Sequence, residues 1–211
     1  MEAQVLLDKY FETAFSAPDG VKKLRELILS LAMQGKLVPQ DPSDQPASEL
    51  LKEIEAEKEK LIQEGKIKQQ KPLPEIKENE SWFELPSKWI WVRLGEISQL
   101  IGGFAYKSNY FLNEGNNQVL RLGNIRPNFL KLDSNPVYID DQTAQKTLEY
   151  RLQKNDILIT MTGTRNKRDY LYTCKIFQNP LLGKTLFLNQ RVGVIRLYIY
   201  SDYLNKALDV D

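Results

Sequence analysis

Along the first third of the chain, apolar positions recur at helical spacing. In residues 5–15, Val5, Leu6, Lys9 and Tyr10 fall at roughly that spacing and predict a helix. Ala17-Pro18-Asp19-Gly20 breaks it, and Asp19 is expected to cap the next helix, over residues 20–34. There Val21, Leu24, Ile28 and Leu31 form one stripe, widened by Leu27 and Ala32. Gly35 suits a C-terminal cap, with Pro39 just beyond. After a turn-rich connection over 41–46, a third helix is expected over 47–64, with Pro46 in its first turn. Its apolar side, Leu50, Leu51, Ile54, Leu61 and Ile62, is narrow, so the helix should be long, exposed and coiled-coil-like, leaning on a partner helix. These five residues are the candidate partner-docking surface.

The pattern then changes. Lys71-Pro72-Leu73-Pro74 must be extended, because proline disfavours helix at the residue before it. A domain boundary is expected between 65 and 84. Beyond it, aromatic and β-branched runs predict strands at 89–94, 118–122, 156–161, 170–177 and 191–200, with a short helix over 141–148 capped by Asp140 or Asp141. The fold class is α+β. Residues 1–70 form a helical region, 71–85 a linker, and 86–211 a mixed α/β domain.

Charge sharpens this division. The net charge of +1 hides a balance of −5 over residues 41–85 and +6 over residues 86–211. A basic second half suits a polyanionic partner, although ordinary surface charge would read the same way. There is no histidine, which excludes histidine-based triads, general bases and metal ligands within these residues. The one cysteine, Cys174, cannot form an internal disulfide, and a reducing cytoplasm is the compartment expected. No apolar run approaches the length of a membrane span, so no membrane partner is expected.

Catalytic motifs fail on inspection. Gly183-Lys184-Thr185 resembles the end of a phosphate-binding loop, but Gln178 stands where the first glycine is needed and Pro180 removes an amide. Pro18-Asp19 with Glu75-Ile76-Lys77 imitates a nuclease signature, but the two lie in a helix start and a proline-rich segment rather than on adjacent strands. Gly102-Gly103 opens no dinucleotide fingerprint, and no Asn-Pro-Pro-Tyr occurs.

Binding chemistry is better represented. After the 156–161 segment the chain reads Thr162-Gly163-Thr164-Arg165-Asn166-Lys167-Arg168-Asp169. Hydroxyls, an amide and three cations contact phosphates and base edges, although a solvated basic loop has the same composition. Lys107, Arg121, Arg126, Asn189, Gln190 and Arg191 offer similar chemistry. Asn189-Gln190 would equally satisfy backbone groups at a strand end, and Tyr106, Tyr110 and Phe111 suit core packing more than stacking on a base.

Taken in order, these residues resemble the specificity subunits of type I restriction-modification systems. Leu24-Arg25-Glu26-Leu27-Ile28-Leu29, Gln34-Gly35-Lys36-Leu37-Val38-Pro39-Gln40-Asp41-Pro42 and Pro46-Ala47-Ser48-Glu49-Leu50-Leu51 are similar to that family's helical region. Leu85-Pro86-Ser87-Lys88-Trp89 with Val92-Arg93-Leu94-Gly95-Glu96-Ile97 is similar to the opening of a target recognition domain. Arg121-Leu122-Gly123-Asn124-Ile125 is similar to its central strand, residues 152–163 to a strand and loop, and Leu188-Asn189-Gln190-Arg191-Val192 to its late motif. The resemblance implies a non-catalytic subunit that recognises double-stranded DNA. It also implies docking to modification and restriction subunits, which would hold S-adenosylmethionine, Mg²⁺ and ATP, with no cofactor in this chain. A whole subunit has two recognition domains. This chain shows one and reaches Asp209-Val210-Asp211 in what reads as the start of another helix, so a truncated form, a disrupted gene product or a natural half-subunit that pairs with a second copy is expected. The competing expectation is a helical scaffold whose α+β domain binds a partner other than DNA.

Overall fold

A computed structural model describes residues 3–163 and 170–199. The chain divides into two compact units, residues 1–96 and 97–211.

The first unit is helical. It holds α1 (Ala3–Ser16), α2 (Gly20–Met33), α3 (Ala47–Gln63) and a single turn at its end, α4 (Leu94–Ile97). Asp19 does not cap α2 through its side chain. Its backbone is left-handed (φ 57°) and itself makes the turn from α1 into α2, a conformation that aspartate tolerates. Gly35 ends α2 as expected. Its φ of +66° needs glycine, and a Cβ there would come within 2.5 Å of the Pro86 ring. Pro46 sits one place before α3 rather than inside it, and the free amide of Ala47 donates to the carbonyl of Lys88 (2.9 Å). Along α3 only Ile54 is buried, and Glu57 pairs with Lys60 at 3.7 Å.

Residues 89–94 do not form the expected strand, and they belong to the first unit rather than the second. Polar anchors decide both points. The Lys88 ammonium donates to the carbonyls of Asp41, Pro42 and Asp44, and the Trp89 indole to the Gln40 side chain (2.9 Å). The Arg93 guanidinium grips both carboxylate oxygens of Glu80 (2.8 and 2.7 Å) and the carbonyls of Pro74 and Glu75. These bonds tie residues 86–93 to the α2–α3 connection and to the proline-rich segment, leaving no sheet for them to join. The stretch from Gly35 to Pro42 is thus a cradle for the segment that follows α3.

The second unit is α+β. Its elements are β1 (Ser98–Gly102), β2 (Asn117–Leu120), β3 (Ile125–Arg126), β4 (Phe129–Leu130), β5 (Tyr138–Ile139), α5 (Asp141–Lys146), β6 (Ile157–Thr160), β7 (Thr173–Lys175), β8 (Thr185–Leu188) and β9 (Val192–Leu197). Strands β1-β9-β6-β7 form an antiparallel sheet, β5-β2-β8 a mixed sheet in which β2 and β8 are parallel, and β3-β4 a small hairpin. Asp140 caps α5, accepting from the Thr143 amide at 2.7 Å. The main core gathers Leu120, Ile125, Leu158, Ile176, Leu188 and Val194, and a second cluster gathers Val119, Ile139 and Phe187. Each such side chain contributes roughly 1.5–3 kcal/mol on burial. Asp156, just before β6 and 1% exposed, receives a two-pronged bond from Arg196 of β9 (2.7 Å at each oxygen).

Candidate nucleic-acid interface

The sheet register brings three chain segments to one edge of the second unit. In the parallel pair, Leu120 of β2 lies opposite Leu188 of β8, so Arg121 and Asn189 leave the sheet together at the same end. The Asn189 amide donates to the Leu120 carbonyl (3.2 Å). Residues 189–191 then carry the chain directly from β8 into β9, that is, from one sheet to the other. In the antiparallel pair, Thr160 of β6 faces Val192 of β9, so the segment after β6 departs where β9 begins. There the Met161 amide donates to the Arg191 carbonyl (3.2 Å).

A cavity of about 330 Å³ opens at this edge, lined by Arg121, Leu122, Gly123, Asn124, Ser134, Asn135, Asn189, Gln190 and Arg191. Two of these residues are cationic and none is acidic. The Arg191 Nε donates to the Thr162 hydroxyl (2.9 Å) and its Nη2 to the Gly163 carbonyl (3.2 Å). The Arg121 Nη2 donates to the Asn135 carbonyl (2.5 Å), and its guanidinium lies 5.9 Å from the Phe111 ring centre. Both guanidiniums are therefore held in place by acceptors on one side.

The cavity floor is rigid because of Asn124. This residue is 1% exposed and its side chain is fully used: Oδ1 accepts from the Arg121 amide (2.9 Å), and Nδ2 donates to the carbonyls of Lys131 and Ser134 (3.0 and 2.9 Å). It clamps the turn after β2 onto the turn after β4. Residues 121–125, which the resemblance likened to a central strand, instead hold a 3-10 turn (Leu122–Asn124) leading into β3. The position of the 189–191 turn depends on Gly103. A Cβ there would fall 2.1 Å from the Asn189 carbonyl oxygen, so only glycine lets the end of β1 approach the 189–191 turn.

Of the sequence-derived DNA-contact candidates, Arg121, Asn189, Gln190 and Arg191 line one cavity and Thr162 is bonded to it. Lys107 is exposed before a 3-10 turn, and Arg126 lies in β3 with its guanidinium on the Ile125 carbonyl (2.7 Å); neither lines the cavity. Thr164, Arg165, Asn166, Lys167 and Arg168 lie outside the described residues. Asn189 serves the strand end as well, since its Oδ1 accepts from the Gln190 amide (2.7 Å). Asn124, Ser134 and Asn135 were missed by residue chemistry alone; the only sequence signal was Asn124's place in the 121–125 motif. Tyr106 is buried and donates to Thr147 (2.9 Å), as core packing predicts. The Lys184 ammonium is engaged by the Gly115 carbonyl (2.7 Å) and lies over the Tyr138 ring, so Gly183-Lys184-Thr185 is a structural turn. Among the docking candidates, Ile54 is already covered (7% exposed), Leu50 is exposed, and Leu51, Leu61 and Ile62 are half-buried. Burial alone pushes the Cys174 thiol up to about 11, which leaves it unreactive at neutral pH. Among the described residues, no group of acidic, cysteine or histidine side chains is arranged to hold a metal, and no helix is long and apolar enough to cross a membrane.

No family model matches the chain. Two curated relatives from Escherichia coli are similar in sequence. The type I restriction enzyme EcoAI specificity subunit is 44% identical over 155 residues, covering 74% of this chain and 26% of the relative. The type I restriction enzyme EcoEI specificity subunit is 38% identical over 164 residues, covering 76% and 27%. The chain thus spans about a quarter of the length of the curated relatives it matches. Among solved structures, a chain from work on the assembly and conformational transition of the type I R-M system matches with a TM-score of 0.44 at 19% identity, covering 77% of this chain and 37% of that one. The HsdS subunit from Thermoanaerobacter tengcongensis matches with a TM-score of 0.39 at 15% identity, covering 100% and 42%.

Proposed function

We infer that this chain belongs to the specificity subunits of type I restriction enzymes, and that its α+β unit recognises DNA by sequence while contributing no catalysis of its own. The observation that carries this reading is the 44% identity over 155 residues to a protein of that name. The geometry agrees with it. A cavity flanked by Arg121 and Arg191, with amide side chains and, among the described residues, no carboxylate in its lining, suits a polyanion. The segment after β6 leaves from the same edge, where β9 begins.

In this reading the chain chooses the DNA site, and modification and restriction subunits act there. Those partners would hold S-adenosylmethionine, Mg²⁺ and ATP; the chain's own residues bind and position. The helical unit would serve as spacer and docking surface, through Leu50 and the accessible edges of Leu51, Leu61 and Ile62. A second copy of the chain could supply the other recognition domain. Twofold pairing would then make the target an interrupted palindrome, because site symmetry mirrors protein symmetry.

The alternative is a helical scaffold whose α+β unit binds a partner other than DNA. Binding of the full chain to a random-sequence duplex pool separates the two, by sequencing the retained fraction at several salt concentrations. Recognition predicts salt-dependent retention with one enriched motif. Retention of nothing, or of an unenriched pool, favours the scaffold.

A further inference from the structure

The cavity between the 121–124 turn and the 189–191 turn has an asymmetry that bears on how it is used. A guanidinium that reads a guanine edge does so with two parallel N–H groups. In Arg191 the Nε and Nη2 pair is already engaged by Thr162 and Gly163, and in Arg121 one Nη2 proton is on the Asn135 carbonyl. Two of the five N–H groups of Arg191 and one of those of Arg121 are thus committed to protein acceptors, which fixes both positive charges and leaves the remaining N–H groups for a ligand. Among the described residues the lining holds no carboxylate. Its floor is clamped by the buried side chain of Asn124, which bonds the turn after β2 to the turn after β4. Fixed placement and net positive charge suit a site that grips backbone phosphate, which carries no sequence information.

We propose that this cavity is a phosphate anchor: it seats a DNA backbone phosphate between Arg121 and Arg191 and sets the register of the α+β unit on the duplex, while base reading falls to other residues. The proposal rests on the DNA-recognition reading above. Gln190 lines the same cavity, so a carboxylate introduced there would repel the phosphate without removing either arginine.

The test uses the full chain and two 30-bp duplexes, one carrying the motif enriched from the random pool and one scrambled. Affinities are measured across a salt series for the wild type, Arg191→Gln, Arg191→Lys and Gln190→Glu, with Arg126→Gln as a cationic control outside the cavity. Thermal melts establish that each variant is folded. For a phosphate anchor, Arg191→Gln and Gln190→Glu weaken both duplexes by the same factor, about tenfold or more. Arg191→Gln also lowers the log–log salt slope by about 1, the loss of one phosphate contact. Arg191→Lys keeps the charge and most of both affinities. Weakening confined to the motif duplex, with an unchanged salt slope, would make the cavity a base-reading site and overturn the proposal. Arg191→Lys as damaging as Arg191→Gln would overturn it too. A wild-type chain that binds neither duplex defeats the DNA reading and the anchor with it, whereas tight wild-type binding with every cavity variant unchanged defeats the anchor alone.

Discussion

The guanidinium of Arg191 and the hydroxyl of Thr162 are joined by a 2.9 Å hydrogen bond that spans 29 residues of sequence. It ties the turn between the two sheets to the segment after β6, and so couples two of the three strands of chain that meet at the cavity. Thr162→Val keeps the shape and removes the bond. A net loss of roughly 0.5–1.5 kcal/mol is expected, about a two- to tenfold weaker affinity for duplex DNA with the fold intact. Fluorescence anisotropy with a labelled duplex measures it. Unchanged affinity would mean that Arg191 is positioned without Thr162.

Gly103 lets the end of β1 approach the 189–191 turn. Gly103→Ala would press a methyl group against the Asn189 carbonyl and must displace the 189–191 turn. Overpacking of this kind costs about 1–3 kcal/mol. A lower melting temperature together with weaker DNA binding is the expected pair of results. A variant matching the wild type in both would show that the two turns are not in close approach.

The ion pair of Asp156 with Arg196 supports the site from behind, by fixing the start of β6 to β9. Removing the buried carboxylate leaves the guanidinium uncompensated and the Gln153 amide without its acceptor. Asp156→Ala should cost on the order of 3–5 kcal/mol. Urea unfolding should show a lower midpoint at an unchanged m-value. A midpoint within error of the wild type would contradict the burial assigned to this pair.

Acid should loosen the first unit through Glu80. The Arg93 guanidinium, and after it the Lys77 amide, hold the Glu80 carboxyl down at about 2, against an ordinary value of 4.5. A depressed carboxyl stabilises the fold above its unfolded pKa, so the contribution is fully present above about pH 4.5 and is lost as pH falls toward 2. All three tryptophans, Trp82, Trp89 and Trp91, lie close in sequence to this pair and report on it. Their fluorescence should change over that window in the wild type. In Glu80→Gln it should already have the acid form's character at neutral pH. A wild-type signal flat from pH 5 to 2 would contradict the assignment.

The helices α1, α2, α3 and α5 and the strands β2, β6, β7 and β9 are legible in the sequence because local periodicity and capping residues determine them. Residues 20–34, 47–64 and 141–148 were all expected as helices, and α2, α3 and α5 occupy them in slightly shorter form. The strand expected at 89–94 is absent because long-range anchors, Lys88 on three carbonyls and Arg93 on Glu80, outweigh the β-propensity of Trp-Ile-Trp-Val. No pattern within the segment carries that information. The strands β1, β3, β4, β5 and β8 escaped, and three of these, β3, β4 and β5, are only two residues long. Two-residue strands have no period, and the turn residues beside β8 masked its buried run. At the site, residue chemistry singled out Arg121, Asn189, Gln190 and Arg191, yet nothing in their spacing says that they meet. Their meeting follows from the parallel pairing of β2 with β8, which only the fold supplies. Asn124 escaped because a buried asparagine that organises a turn looks, in sequence, like any asparagine after glycine.

The central claim is that this chain selects a DNA sequence on behalf of partner subunits. The most direct measurement is the methylation map of DNA from cells that express the chain with its cognate modification subunit, compared with cells that express the modification subunit alone. The account predicts new methylation at one defined motif, split and symmetric if two copies of the chain pair, and its loss when Arg121 and Arg191 are both replaced by Gln. Identical maps with and without the chain would contradict it.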